Sequence, residues 1–384
     1  MAQVTIPWSP RLQAYNPSED AERPLRRGLA WDLLVHTGLL EVPGIQAIDP
    51  PTASIHELER VHASAYIRAV QRYSADPRRA MEWEAGQWGF VPGMDTVARE
   101  GMHQAAADVC GAAIAGARAV WNGPGRAFCP APAGLHHAMS NRASGFCIYN
   151  DCALAVRELL DLGARRVAYL DLDAHHGDGV QWIFYSDPRV LSVSVHEFAY
   201  GFFPGTGGLG EQGSGAGEGA TLNVPLPPFA GDLPYRAAFT EVLLPAVRVF
   251  RPDVLVVHLG SDVHHADPLA HLQVTIPVLE RIYAGLVALA EEVTDGRILA
   301  IAGGGYNPMT LGCLWALQLG ALAGIAVPDV LPEVWRDAAR LALGAEPPVR
   351  VRAETPIAAD HDRRAVADQE GSERVIEAAA LIRR

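Results

Sequence analysis

The segment 171–178 reads Asp-Leu-Asp-Ala-His-His-Gly-Asp and is the first place where residue types and spacing suggest chemistry. In an extended chain alternate side chains share a face, so Asp171, Asp173 and His175 point the same way. Three such groups together need something positive to join them. A divalent cation supplies it, because carboxylate oxygen and imidazole nitrogen are ordinary zinc ligands. A catalytic site of this kind takes one more protein ligand and keeps one position open. The apolar run 254–259 delivers Gly260, Ser261 and Asp262 to the same edge, which makes Asp262 the third candidate ligand. His264 and His265 lie nearby and read as substrate-side or solvated loop residues. His258 falls inside the apolar run and reads as a buried, hydrogen-bonded core histidine.

Two further constellations complete the set. His136 and His137 follow Gly134 and Leu135 on an irregular stretch. Paired imidazoles there can flank one activated water, one taking its proton and the other giving a proton to a departing amine. Two acids must then fix their tautomers, and Asp171 and Asp178 are placed to do so. The third is Gly303-Gly304-Gly305-Tyr306-Asn307. Glycines allow close backbone approach, and a phenol beside them can donate a hydrogen bond to a developing oxyanion.

These residues must be positioned by an α/β scaffold. Compact apolar runs at 166–172, 189–195, 254–259 and 297–302 each end in polar or glycine-rich residues and predict strands of a largely parallel sheet. Helical periodicity covers 24–37, 102–120, 152–162, 235–250 and 276–294. The chemically interesting residues fall just after the strands, where open α/β sheets bind ligands. The glycine-rich stretch 201–219 reads as a long ordered loop or lid. Near residue 345 the composition changes to prolines and charges, followed by a helical segment at 372–384. The expected organisation is therefore a catalytic domain over 1–344 and a C-terminal extension over 345–384.

Composition narrows the function classes. The formal net charge of −13 disfavours a nucleic-acid backbone as partner and suits cationic or amine ligands. The five cysteines are scattered without a C-x-x-C pair, which points away from a thiolate zinc site and toward a reducing, cytoplasmic setting. No run of eighteen apolar residues and no signal-peptide pattern is present, so no membrane partner is expected.

The three constellations, with residues 142–151 (Arg-Ala-Ser-Gly-Phe-Cys-Ile-Tyr-Asn-Asp) and 201–207 (Gly-Phe-Phe-Pro-Gly-Thr-Gly), resemble the zinc-dependent histone deacetylase family. The run 173–182 (Asp-Ala-His-His-Gly-Asp-Gly-Val-Gln-Trp) is most similar to its bacterial acetoin-utilization branch. The similarity extends from about Pro7 to about Leu343. It implies the arginase/deacetylase fold, a single α/β domain with a central parallel sheet of about eight strands flanked by helices.

The resemblance also implies roles. Asp173, His175 and Asp262 would bind the catalytic metal, zinc, with ferrous iron as the alternative. His136 and His137 would be the acid–base pair, backed by Asp171 and Asp178, and Tyr306 the transition-state donor. Gly145, Phe146 and Phe203 would line an acyl-lysine tunnel. Asp95 matches an acidic residue that grips the substrate backbone at the rim, although the family's following proline is missing here. A structural potassium ion is implied behind the metal, held by the backbone carbonyls of Asp171, Asp173 and His175 and by Ser194. The implied reaction is hydrolysis of acetyl-lysine in proteins or peptides, and the branch suggests acetyl-CoA synthetase as substrate. The rival readings are an acetylpolyamine deacetylase, a two-metal ureohydrolase and a non-catalytic acyl-lysine binding module. The ureohydrolase would want carboxylates where Val263, His264 and His265 stand, and the presence of every catalytic residue argues against the silent module. The oligomeric state is left open by the sequence.

Overall fold

A computed structural model describes residues 2–18, 22–81, 83–91, 93, 95–123, 125–130, 132–354 and 361–382. Met94, Arg383 and Arg384, which belong to the rim segment and the C-terminal helix expected from sequence, lie outside the described residues.

Eight strands form one sheet: β1 (Val4–Pro7), β2 (Ile45–Ile48), β3 (Arg126–Cys129), β4 (Val167–Asp171), β5 (Val190–Glu197), β6 (Thr221–Leu226), β7 (Val254–Leu259) and β8 (Ile298–Ala302). Their order is β2-β1-β3-β8-β7-β4-β5-β6, and every pairing is parallel. Parallel strands are joined by crossovers that cover both faces, so inner strands are buried on both sides and read as continuous apolar runs. The period of two is still visible in the packing. Ala168, Leu170, Leu255 and Val257 enter one apolar cluster, while Val167, Tyr169, Val254 and Val256 enter the other. Helices at Glu22–His36, Ile276–Val293 and Leu311–Ala323 complete the first layer, and Met102–Asn122 and Asp151–Asp161 the second.

Register places the chemistry. Asp171, the last residue of β4, pairs with His258 of β7 on one side and Ser194 of β5 on the other. The loops after β3, β4, β7 and β8 therefore leave the same edge side by side. The helix expected over 235–250 is instead three pieces, helical at Asp232–Ala237 and Leu244–Phe250 with a wider π-helical turn between them. Pro245 lacks the N–H that a continuous ladder would use, which accounts for the shift. The stretch 201–219 is an ordered loop pinned to the body of the protein. His176 Nδ1 bonds Thr206 Oγ1 at 2.9 Å, His196 Nε2 meets the Gly207 carbonyl at 3.0 Å, and Glu211 accepts from Gly207 N–H at 2.9 Å.

Beyond residue 344 the chain returns to the body. Val351 is buried and donates its N–H to the Asp329 carbonyl at 2.7 Å. The helix His361–Leu381 buries Val375 and Ala378, and its Asp368 accepts from Gly231 N–H at 2.7 Å. No helix among the described residues is long and apolar enough to cross a membrane.

Candidate active site

The loop after β3 brings His136 and His137 over the end of β4. His136 Nδ1 bonds Asp171 Oδ2 at 2.9 Å, and His137 Nδ1 bonds Asp178 Oδ1 at 2.7 Å. All four side chains are buried. The two rings stand 3.9 Å apart between centroids, and with each Nδ1 committed to a carboxylate the Nε2 atoms remain for other partners. Burial, reinforced by the neighbouring His137, lowers the His136 pKa to about 4 against the pull of Asp171, so the ring is neutral at neutral pH.

Asp171 is shared more widely than the sequence suggested. Tyr169 donates its hydroxyl to Oδ2 at 2.6 Å, and His258 Nδ1 bonds Oδ1 at 3.0 Å. Burial opposes its charge, yet His258 and His136 outweigh that and hold its carboxyl far below the ordinary range. His258 is indeed buried and hydrogen-bonded, but it is no remote core residue. Its ring lies 4.4 Å from that of His136, and its Nε2 sits 3.8 Å from Asp173 Oδ2 without a hydrogen-bond partner. No local pattern could reveal this, because it arises from the pairing of β4 with β7.

Asp173, His175 and Asp262 converge, although β4 ends at Asp171 and residues 173–175 form a bend instead of the extended chain assumed from the spacing. His175 Nδ1 stands 3.2 Å from Asp173 Oδ1 and 3.1 Å from Asp262 Oδ2. The remaining carboxylate atoms are taken by backbone donors: Ala174 N–H meets Asp262 Oδ1 at 2.9 Å, and Gly304 N–H meets Asp173 Oδ2 at 2.8 Å. Burial and the charge of Asp173 raise the Asp262 carboxyl to about 8. Burial would lower His175, but hydrogen bonds to Asp173 and Asp262 raise it to about 10. Protons can reconcile these groups only by neutralising one acid and charging the imidazole. A divalent cation does the same for all three at once, so the donor set fits a metal. Their ligand atoms lie within 4.8 Å of one another, as do those of a second group, His136, Asp173 and His258, that shares Asp173.

The glycines of the loop after β8 are required by close approach. A Cβ on Gly303 would sit 2.1 Å from His258 Nε2, and one on Gly304 would sit 2.2 Å from Asp262 Oδ2. The loop then presents Tyr306, whose backbone N–H donates to Asp267 Oδ2 at 2.7 Å and whose ring lies 4.9 Å from the Arg26 guanidinium carbon. His136, His137, Gly145, Phe146, Asp173 and Tyr306 line one common cavity.

Of the expected tunnel residues, Gly145 and Phe146 line this cavity, whereas Phe203 packs beside it against His137. Phe203 lies edge-on to His137 at 4.8 Å, and Gly145 is packed so tightly that a Cβ would meet His137 at 2.4 Å and Phe203 at 2.9 Å. Phe146 holds a left-handed backbone, φ 65°, and stands 6.4 Å from Tyr306. Phe202, which sequence reading passed over, stacks on His175 at 5.0 Å and 13°. Asp95 accepts the Gly145 N–H at 3.0 Å, and Thr96 Oγ1 accepts that of Phe146 at 3.0 Å, so this segment braces the Gly145–Phe146 turn. His264 and His265, read as substrate-side or solvated, instead both face Glu354 at 3.1 and 2.7 Å.

With this geometry in view, the class follows. A model of the histone deacetylase domain matches residues 20–322, and the chain belongs to the histone deacetylase family. Within it the chain falls in the acetoin utilization, or AcuC, branch. It is 36% identical over 354 residues to the acetoin utilization protein AcuC of Bacillus subtilis (strain 168), covering 87% of this chain and 90% of that protein. The AcuC protein of Staphylococcus xylosus is 37% identical over 313 residues, covering 81% and 80%. That of Staphylococcus aureus (strain MSSA476) is 37% identical over 283 residues, covering 74% and 72%. The family fixes the class as a deacetylase acting on an acetylated substrate, and the eight-stranded parallel sheet is the arginase/deacetylase fold.

Proposed function

We propose that the chain is a cytoplasmic, metal-dependent protein lysine deacetylase, with its catalytic body in residues 1–344. The observation that carries this reading is the pair of buried acid-backed histidines, His136 on Asp171 and His137 on Asp178, beside the Asp173, His175 and Asp262 donor set. These three would hold zinc, or ferrous iron, and when bound the ion would supply Lewis-acid polarisation and a more acidic water.

The chain's own groups do the rest. Phe146 and Phe203 enclose the methylene stem of an acetyl-lysine and exclude water from it, while Gly145 leaves room for that stem between them. Each histidine receives or delivers a proton at Nε2, because Nδ1 is committed to a carboxylate. One takes the proton of the attacking water, and the other protonates the amine nitrogen as the C–N bond breaks, giving acetate and lysine. Tyr306 donates its hydroxyl to the oxyanion. Asp95 would grip the substrate backbone at the rim; its bond from Gly145 N–H ties it to the tunnel entrance. Potassium is part of the proposal: the carbonyls of Asp171, Asp173 and His175 would hold it together with Ser194, which pairs in register with Asp171.

Acetyl-CoA synthetase is the proposed protein substrate. A turnover panel on zinc-loaded protein tests the reading, comparing acetyl-lysine peptides with acetylputrescine and acetylspermidine. Higher kcat/KM on the peptides is expected. An acetylated polyamine favoured by tenfold or more, about 1.4 kcal/mol at the transition state, transfers the assignment to polyamines. No turnover of any member rejects it.

A further inference from the structure

Two histidines that the reaction leaves without a role stand directly beside the site. His264 and His265 lie on the loop between Asp262 and Asp267, and both Nε2 atoms face the same oxygen of Glu354. The three donor atoms are close enough for a metal. The other nitrogen of His264 decides against one. Its Nδ1 accepts the Ala266 N–H at 3.2 Å, so the proton of the neutral ring sits on Nε2, where the ring can only donate. The cluster is a hydrogen-bonded clasp.

Glu354 is well anchored for that task. Its second oxygen accepts the N–H of Ile276, at the start of the helix Ile276–Val293, at 2.5 Å. Burial pushes its carboxyl up, but the bonds from His264 and His265 outweigh it and hold it at about 2, so the group is charged. The strap around it is docked through buried Val351 and through Arg352, which bonds Glu280 at 2.6 Å.

From the clasp, hydrogen bonds run without a gap to the backbone of Tyr306. The His264 carbonyl accepts the Asp267 N–H at 2.9 Å, and Asp267 accepts the N–H of Tyr306 at 2.7 Å. The Asn307 amide donates to the Ala266 carbonyl at 2.8 Å, and Ser261 N–H donates to the Gly304 carbonyl at 2.7 Å. The loops after β7 and β8 are thus one hydrogen-bonded unit, and Glu354 is its attachment to the C-terminal segment.

We propose that Glu354 is a positioning residue: by clasping His264 and His265 it fixes the Asp262–Asp267 loop, and through Asp267 it sets the placement of Tyr306. The inference rests on the proposed role of Tyr306 in deacetylation. It makes residues beyond 344 a working part of the enzyme.

The test is a double-mutant cycle on the full-length, zinc-loaded protein. Misplacement of a reacting group by about 1 Å costs up to about 100-fold. Glu354→Ala is therefore expected to lower kcat on an acetyl-lysine peptide by about tenfold or more, with KM within about threefold. In a Tyr306→Phe background the same substitution is expected to cost less than about twofold, because the group it positions is already gone. Hydrogen exchange read in parallel is expected to quicken at the Tyr306 amide, with the global melting transition retained. The exchange readout needs no substrate. If the wild type turns over no member of the panel, the proposed function fails and exchange alone decides the clasp. Wild-type kcat in Glu354→Ala, an equal fold-loss in both backgrounds, or unchanged exchange at Tyr306 overturns the proposal.

Discussion

Substituting Gly304 by alanine is a sharp perturbation of the metal ligands that leaves their chemistry intact. The added Cβ would lie 2.2 Å from Asp262 Oδ2 and 2.7 Å from Asp173 Oδ2. Ordinary non-bonded separation begins near 3.5 Å, so the Asp262 oxygen must retreat by roughly 1 Å. Gly304 does not have the left-handed φ of its neighbour Gly305, so the effect is steric and local. Metal sites tolerate only about 0.2 Å in ligand distance. A displacement several times larger removes Asp262 as an effective ligand. We expect zinc affinity to fall by about 100-fold or more, which is about 2.7 kcal/mol. Overpacking costs folding stability about 1–3 kcal/mol, within what a domain of this size withstands. The assay is competitive chelator titration of zinc, with circular dichroism of the metal-free protein as the folding control. Gly208→Ala is the matched neutral substitution, since nothing lies within 4 Å of its would-be Cβ. A folded Gly304→Ala protein that binds zinc within about threefold of the wild type would refute the assignment of Asp262 and Asp173 as ligands.

The two overlapping donor groups separate under mutation. Asp262→Asn should abolish stoichiometric zinc, while His258→Gln should keep it, as read by elemental analysis after gel filtration; the opposite pattern would move the metal to His136, Asp173 and His258. Asp178→Asn removes the carboxylate 2.7 Å from His137 Nδ1. Charged hydrogen bonds are worth about 1.5–3 kcal/mol, so kcat should drop by about 10- to 100-fold with zinc content unchanged. Tyr306→Phe should fold, bind zinc and bind an acetyl-lysine peptide, yet lose about 100- to 1000-fold in kcat; near wild-type kcat would reduce the tyrosine to a packing residue.

The legible parts of this molecule are those whose physics is local. The strands β4, β5, β7 and β8 are sandwiched between two helical layers, so their apolar runs announce them and their ends locate the site. The strands β1 and β3 are only four residues long, and β2, at the sheet edge, has two exposed residues among its four. The strand β6 carries Asn223 and Pro225 in its interior, which blurs the pattern although all six residues are buried. The helix Leu311–Ala323 escaped for the opposite reason: it is buried nearly all round, so no polar face marks its period.

The same division runs through the site. Asp171, Asp173, His175 and Asp178 sit within eight residues, so their clustering is visible in the sequence, although the chain bends after Asp171 and does not carry the strand's alternation through to His175. His258 and Glu354 have no such neighbours. The first becomes part of the site because β4 and β7 pair in a register that sets it opposite Asp171. The second arrives from about ninety residues down the chain, since its partners are His264 and His265. His258 is a polar group whose burial is tolerable only once distant partners are in place, whereas Glu354 stays partly exposed and is tied down by its bonds to both histidines. A buried polar residue within an apolar run, and a lone acid in a docked tail, are thus where tertiary pairing completes what local spacing begins.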